Sequence, residues 1–146
     1  MDISTSRFGN VEIDAQDIIQ FPEGLIGFEN AQNWVVLSDE SNDAIGWLQS
    51  IDEPDLAMAV VSPRRFSTEY RVRTGKSEIE ALELSDSDDT FVLAIVSKHE
   101  EQLTINLRAP LIINLSKQVG KQVVTTDEQP LQYVIASPAA AYRKSA

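Results

Sequence analysis

The sequence predicts a mainly β fold: a compact, antiparallel, β-barrel-like single domain with one short helix. Three observations carry this. Apolar and polar residues alternate with period two over much of the chain, as on strands with one wet face. Clusters of Gly, Pro, Asp, Asn and Ser recur at short intervals and leave room for about eight short strands. Only one segment carries a helix-start signal. The 146 residues form one domain, and a chain of that size buries roughly 70% of its unfolded surface. Closing the sheet would remove exposed strand edges.

The elements follow in order. Val11-Glu12-Ile13-Asp14-Ala15 alternates cleanly, and Asp17 to Phe21 continues apolar into Phe21-Pro22-Glu23-Gly24. Pro second and Gly fourth fit a type I turn, and Gly27 adds a second flexible point. Trp34–Leu37 and Ile45–Ile51 read as strands joined by the polar loop 38–43. Ala57–Val61 is a strand entered through Glu53-Pro54-Asp55. Ser77-Glu78-Ile79-Glu80 has the form of a capping box and predicts about two helical turns. Phe91–Val96 is continuously apolar, as in a central strand covered on both faces. Leu103–Leu107 alternates, and Leu111–Leu115 is a further strand beyond Pro110, which lacks a backbone donor and so marks a bend or a strand start. Gln118-Val119-Gly120-Lys121 reads as a hairpin turn leading into a strand over 122–126. From Ser137 the chain (SPAAAYRKSA) is small and polar, and is expected to fray as a tail.

Charge is unevenly placed. The formal net charge is −11, and residues 1–60 hold twelve Asp or Glu against a single base, Arg7. Residues 61–146 hold eleven acids and eleven bases, so the excess lies in the first part. An acidic surface repels nucleic acid and anionic membranes and steers basic proteins. The absence of cysteine excludes disulfides and thiolate metal sites. No signal peptide and no membrane-length apolar run is legible, so a cytoplasmic location is expected.

Nothing points to catalysis, a cofactor or a metal. The one histidine, His99, adjoins Glu100 and Glu101, but the segment reads as a solvated loop at a strand end. Asp86, Asp88 and Asp89 lack the glycine and terminal glutamate of a calcium loop. No P-loop or nucleophile elbow occurs. A second class of reading is a nucleic-acid-binding barrel using the Arg64–Arg73 loop, where Arg64, Arg65, Arg71 and Arg73 accompany Phe66 and Tyr70.

Three segments carry a family resemblance: Ile18 to Glu29 (IIQFPEGLIGFE), Trp47 to Ala57 (WLQSIDEPDLA) and Ile105 to Asn114 (INLRAPLIIN). In order and spacing they resemble signature stretches of the bacterial flagellar assembly factor FliW. Phe91–Val96 and Gly120–Val124 add to the likeness, which spans residues 8 to about 126 and is looser over 62–90. The resemblance implies a FliW-like β-barrel domain, taken as 1–136 ahead of the small, polar tail at 137–146, and no enzyme activity; after Pro130 no family pattern is matched. It implies two alternating protein partners, flagellin and the basic RNA-binding dimer CsrA, which represses flagellin translation. The acidic charge argues against direct nucleic-acid or membrane contact, and we expect a monomer.

Among the signature residues, Phe21, Phe28, Trp47, Leu107 and Ile113 are expected in the core. Gly24 and Gly27 serve backbone geometry, and Pro22, Pro54 and Pro110 shape turns or bends. The polar members Gln49, Asn106, Asn114 and Gln122 are candidate partner contacts, or else structural hydrogen-bonding groups. Alternation puts Thr104, Asn106 and Arg108 on one face of their strand, opposite Leu103, Ile105 and Leu107, and makes that face a candidate contact surface. Glu12, Asp14, Asp17 and Glu23 are the candidate acidic steering surface.

Overall fold

A computed structural model describes residues 1–136; the expected tail at 137–146 lies outside them. A hairpin of β1 (Asp2–Thr5) and β2 (Gly9–Glu12) precedes nine further strands. These are β3 (Ile19–Gln20), β4 (Asn33–Ser38), β5 (Ile45–Ser50), β6 (Ala57–Val61), β7 (Thr90–His99), β8 (Gln102–Ile105), β9 (Leu111–Asn114), β10 (Val119–Gln122) and β11 (Tyr133–Ala136). The sheet order is β11-β8-β7-β6-β5-β4-β3-β10-β9, and β7 also pairs with β9. That extra pairing closes seven strands into a ring. The first half of β7 pairs with β9 and the second half with β8, which carries β11 outside the ring.

The register fixes which side chains fill the ring. Trp34 opposes Ser50, Val36 opposes Leu48, Gly46 opposes Val60, Val60 opposes Ile95, and Phe91 opposes Ile113. Directly opposed residues share a face, so these point inward. They coincide with the main core of Ile19, Phe21, Leu25, Trp34, Leu48, Val60, Leu111 and Ile113. The outward faces are covered in three patches. The hairpin sets Ile3 and Ile13 on Val35. The 63–72 segment and β11 cover Val61 and Ala94. The helical segment sets Leu82 over Ile112 and Val123.

Several sequence expectations are corrected. One pairing, β3 with β10, is parallel. The expected turn at 118–121 is displaced: the chain reverses over 115–118, with Gln118 at φ +54°, and Gly120 lies within β10. Val123 continues as a buried loop rather than a strand. The Ser77 capping box does not form. Gly75 occupies the N-cap, and α1 (Lys76–Ile79) makes one turn before tightening to a 3-10 turn over Glu80–Leu82. Strands β1 and β11 were not legible. Phe91 opens the apolar run yet is 54% exposed, so β7 is not covered on both faces along its length. The Phe21–Gly24 turn forms as expected, with the Gly24 N–H donating to the Phe21 carbonyl at 2.8 Å and Gly24 at φ +67°.

Candidate functional site

The two ends of the barrel differ. At one end the loop after β3 turns inward. Phe21, Leu25 and Ala31 pack on Trp34, with Leu56 and Met58 beside them, and the end is closed. The Trp34 indole donates to the Ala31 carbonyl at 2.9 Å and holds the loop. Gln122 ties it from the other side, accepting from the Ile26 N–H at 2.8 Å and donating to the Ala109 carbonyl at 3.0 Å. At the other end no loop among the described residues fills the bore. The inward-facing Val36, Gly46, Val60, Phe91 and Leu93, with Leu115, line part of an open cleft of about 840 Å³ that extends to the outward-facing Val61, Tyr70 and Val92. Three of them, Val36, Phe91 and Leu115, are among the exposed large apolar side chains. An apolar concavity of this size is a recognised feature of binding sites.

The rim is polarised. Asp17, Asp39 and Asp43 stand on the side of β3 and the β4–β5 loop, and Arg64, Arg65 and Arg71 on the side of the segment after β6. The acids are partly engaged. The Asp39 carboxylate accepts from the Trp47 indole at 2.9 Å and from Ser41. These bonds, that of Trp47 first, hold its pKa below the usual carboxylate value. Asp17 accepts from the Asp14 N–H at 3.1 Å. On the opposite side Arg64 donates through Nε to the Tyr70 carbonyl at 3.0 Å. Arg65 and Arg71 are exposed and make no ion pair among the described residues.

The sequence-derived contact residues do not form a surface. Gln49 is fully buried, and its amide nitrogen donates to the carbonyls of Ser50, Pro54 and Leu56. Asn114 is fully buried and donates to the Leu82 carbonyl and the Asp88 carboxylate, both at 2.9 Å. That bond, with one from Lys117, lowers the Asp88 pKa. Thr104 is buried and pairs with Val134 of β11, the strand beside it in the sheet. Asn106 accepts from the N–H groups of Arg108 and Ala109 at 3.0 Å and shapes the bend into Pro110. Arg108 donates to the Gln129 carbonyl at 2.9 Å. Of the expected Thr104–Arg108 contact face, Thr104 is thus withdrawn from solvent, while Asn106 and Arg108 stay half-buried and committed to these local hydrogen bonds.

The signature residues expected in the core divide. Phe21, Leu107 and Ile113 are core. Phe28 is 41% exposed on the capping loop. Trp47 is half-buried on the outward face, with the Arg7 guanidinium 4.1 Å over its ring and Phe8 edge-on at 6.0 Å. Pro54 and Pro110 act through their carbonyls, which accept from Ser6 and Val123 at 3.0 Å. Gly27 sits at φ +91°. Glu12, Asp14, Asp17 and Glu23 are all exposed. The nucleic-acid reading loses its stacking platform, because Tyr70 is buried and Phe66 packs on the same cluster. Among the described residues no group of three or more His, Asp or Glu is placed to hold a metal, and no helix is long and apolar enough to cross a membrane.

Sequence reasoning missed the open end altogether. A signal was present: Phe91 and Leu115 sit at the outer ends of inward-facing runs, where a barrel needs a plug.

Comparison with known proteins agrees with this architecture. The family model described as FliW protein matches residues 2–135. The chain is similar to the flagellar assembly factor FliW of Bdellovibrio bacteriovorus, with 34% identity over 98% of this chain and 89% of the relative. It is 38% identical to that of Oceanobacillus iheyensis, over 94% and 96%. A crystal structure of the flagellar assembly factor FliW superposes with a TM-score of 0.84 at 28% identity, covering 92% of this chain and 96% of that one.

Proposed function

Because the chain belongs to the FliW family of flagellar assembly factors, we propose that it acts in the cytoplasm by binding two protein partners in turn. One is flagellin, held before export. The other is CsrA, the basic RNA-binding dimer that represses flagellin translation. Accumulating flagellin occupies the factor and leaves CsrA free to repress. Export of flagellin releases the factor, which then antagonises CsrA.

The observation that carries this reading is the confinement of the −11 excess to residues 1–60. These residues build the hairpin, the capping loop and β3 to β6, one continuous side of the barrel. Glu12, Asp14, Asp17 and Glu23 present its charge to solvent. A field of this sign draws a basic dimer and repels RNA beside it, with no need to cover the base-reading site.

The test is a pull-down from cytoplasm with the purified chain as bait, with and without excess flagellin. CsrA is recovered alone and is displaced when flagellin is added. Recovery of neither protein overturns the reading.

A further inference from the structure

We propose that the first half of β7, Thr90–Leu93, is a docking edge for an extended segment of a protein partner, which adds to the sheet as a strand in the line that β6 leaves empty. This rests on the reading of the chain as a protein-binding factor, and it assigns that activity a surface and a mode of recognition.

The backbone register carries the inference. β6 pairs with β7 only at Val60–Ile95 and Val61–Ala94. Two residues further along, Pro63 would oppose Val92. Proline has no N–H to give, and the Pro63 carbonyl turns back to accept from Phe66 and Ser67 at 3.1 and 2.9 Å. β7 therefore runs on without a partner on this side. Its other side shows which groups are left free. The Asp89 carbonyl accepts from Leu115 at 2.8 Å, and that of Ile95 from Asn106 at 3.1 Å. Odd-numbered residues of β7 thus bond toward β9 and β8. Bonding alternates along an antiparallel strand, so Thr90, Val92 and Ala94 aim their N–H and C=O groups toward β6. Ala94 meets Val61 there; Thr90 and Val92 meet no partner among the described residues.

The surroundings suit a strand. Thr90–Leu93 consists of strand-forming residues, with none of the lysine, proline or bulge devices that guard an edge. Other edges are less inviting. β11 has a bulge between Val134 and Ala136. The part of β4 unpaired on the β3 side, Val36–Ser38, is shorter and runs into Asp39. The β7 edge lies inside the open cleft, across from Ser62–Arg65, where one strand fits more readily than the edge of a second sheet. An added strand sets alternate side chains inward beside Phe91 and Leu93, so the partner carries apolar residues two apart. Charge does not choose the partner: Asp43, Arg65 and Arg71 all line the cleft without an ion pair among the described residues. Backbone hydrogen bonds supply the affinity and alternate side chains the specificity.

The test uses the full chain and a capped synthetic peptide of alternating threonine and valine. In the expected register its valines face inward and its threonines bond to β7. The unmodified peptide binds saturably. N-methylation of the threonines, which removes the N–H groups aimed at β7, abolishes binding, whereas N-methylation of the valines leaves it. By NMR, amide exchange at Thr90 and Val92 slows about tenfold when the peptide stands at about ten times its Kd. Phe91 and Leu93, already bonded to β9, do not change. Thr90→Pro removes a free donor and no bond to β9, and weakens the peptide about fivefold, the worth of one hydrogen bond. Ser38→Pro, the same change on the β4 edge, alters nothing, and circular dichroism checks that each variant keeps its fold. Equal loss from the two N-methylated sets, protection at Val36 and Ser38 in place of Thr90 and Val92, tighter binding of a leucine-striped helical peptide, or a dimer of the chain that the peptide dissociates would each overturn the proposal. Flagellin and CsrA are titrated in parallel on the wild-type chain. If they bind and only the peptide fails, the docking edge is wrong and the functional reading stands; if they fail while the peptide binds as described, the reverse holds.

Discussion

Gly120 faces the ring of Phe21 across the barrel interior, and a Cβ there would lie 2.5 Å from Phe21 Cζ. Phe21 is fully buried, so neither partner can move aside. Gly24 has two constraints: φ +67°, and a Cβ position 2.5 Å from the Glu29 backbone. Gly27 has only one, φ +91°, with open space around it. The alanine variants should therefore rank. Gly27→Ala costs about 1–2 kcal/mol of left-handed strain, Gly120→Ala about 1–3 kcal/mol or somewhat more from overpacking, and Gly24→Ala the most, because both costs apply. Urea melts with unchanged m-values check the order. Tyr70 supplies a second test. Its hydroxyl donates to the Leu107 carbonyl at 2.6 Å, and burial, with the Asp127 charge second, pushes its pKa up to about 12. In the unfolded chain it ionises near 10. The folded state thus holds the proton longer, and stability present below pH ~10 is lost as pH rises from there toward 12. Tyr70→Phe should cost about 1–3 kcal/mol at neutral pH and flatten that alkaline loss relative to wild type. At this scale the sequence told the role of a residue better than its place. Gly24 was legible as turn chemistry because its proline and spacing are local. Gly120 looked like a turn residue, because nothing local reveals an aromatic ring arriving from a hundred residues away.

The N-terminal hairpin behaves as a strap over the outward faces of β4 and β5. Ile3 and Ile13 bury against Val35, Ser6 donates to the Pro54 carbonyl at 3.0 Å, and Arg7 covers Trp47 at 4.1 Å. Arg7→Ala should cost about 0.5–1 kcal/mol, the worth of an exposed cation–π contact. It should also make Trp47 more accessible to acrylamide, while the fluorescence of the fully buried Trp34 stays blue-shifted and shielded. Equal quenching of Trp47 in wild type and variant would show that the strap does not rest on this contact. Strands β4, β5, β6, β8 and β9 were legible because each sets apolar residues against a core, which writes alternation or an apolar run into the sequence. The first strand was not, because of its two buried residues only Ile3 is apolar and the other is Thr5, so no apolar alternation shows. Strand β11 has no fully buried residue and takes its place from pairing with β8. The capping-box signal at Ser77 misled because Gly75 arrives extended at φ −66°, ψ 148° and starts the helix two residues earlier. Lys121 then bridges this helix to the capping loop through Glu78 and Glu23, at 3.2 and 3.3 Å.

For the molecule as a whole, charge segregation along the chain becomes segregation in space, because residues 1–60 form neighbouring strands rather than alternating with the remainder. That outcome was legible only as a number; the topology turns it into a side. The open end was illegible for the complementary reason, since its lining comes from six strands whose convergence no local window contains. An acidic side acts on association chiefly through encounter. The rate of capture of a basic partner should fall steeply with salt, as the field is screened over about 10 Å at 0.1 M. Replacing Glu12, Asp14, Asp17 and Glu23 by Lys adds two charges at each position and moves the net charge from −11 to −3. These four side chains are exposed, and only two take part in described polar contacts, Asp17 with the Asp14 N–H and Glu23 with Lys121. The fold should therefore survive at a cost within about 1 kcal/mol. Stopped-flow mixing with CsrA should show a slower association rate at low salt, a shallower dependence on ionic strength, and a dissociation rate changed far less. If the fourfold variant instead dissociates faster with its association rate intact, these carboxylates lie inside the contact rather than around it. The charged side would then act as a binding surface in its own right rather than as a field.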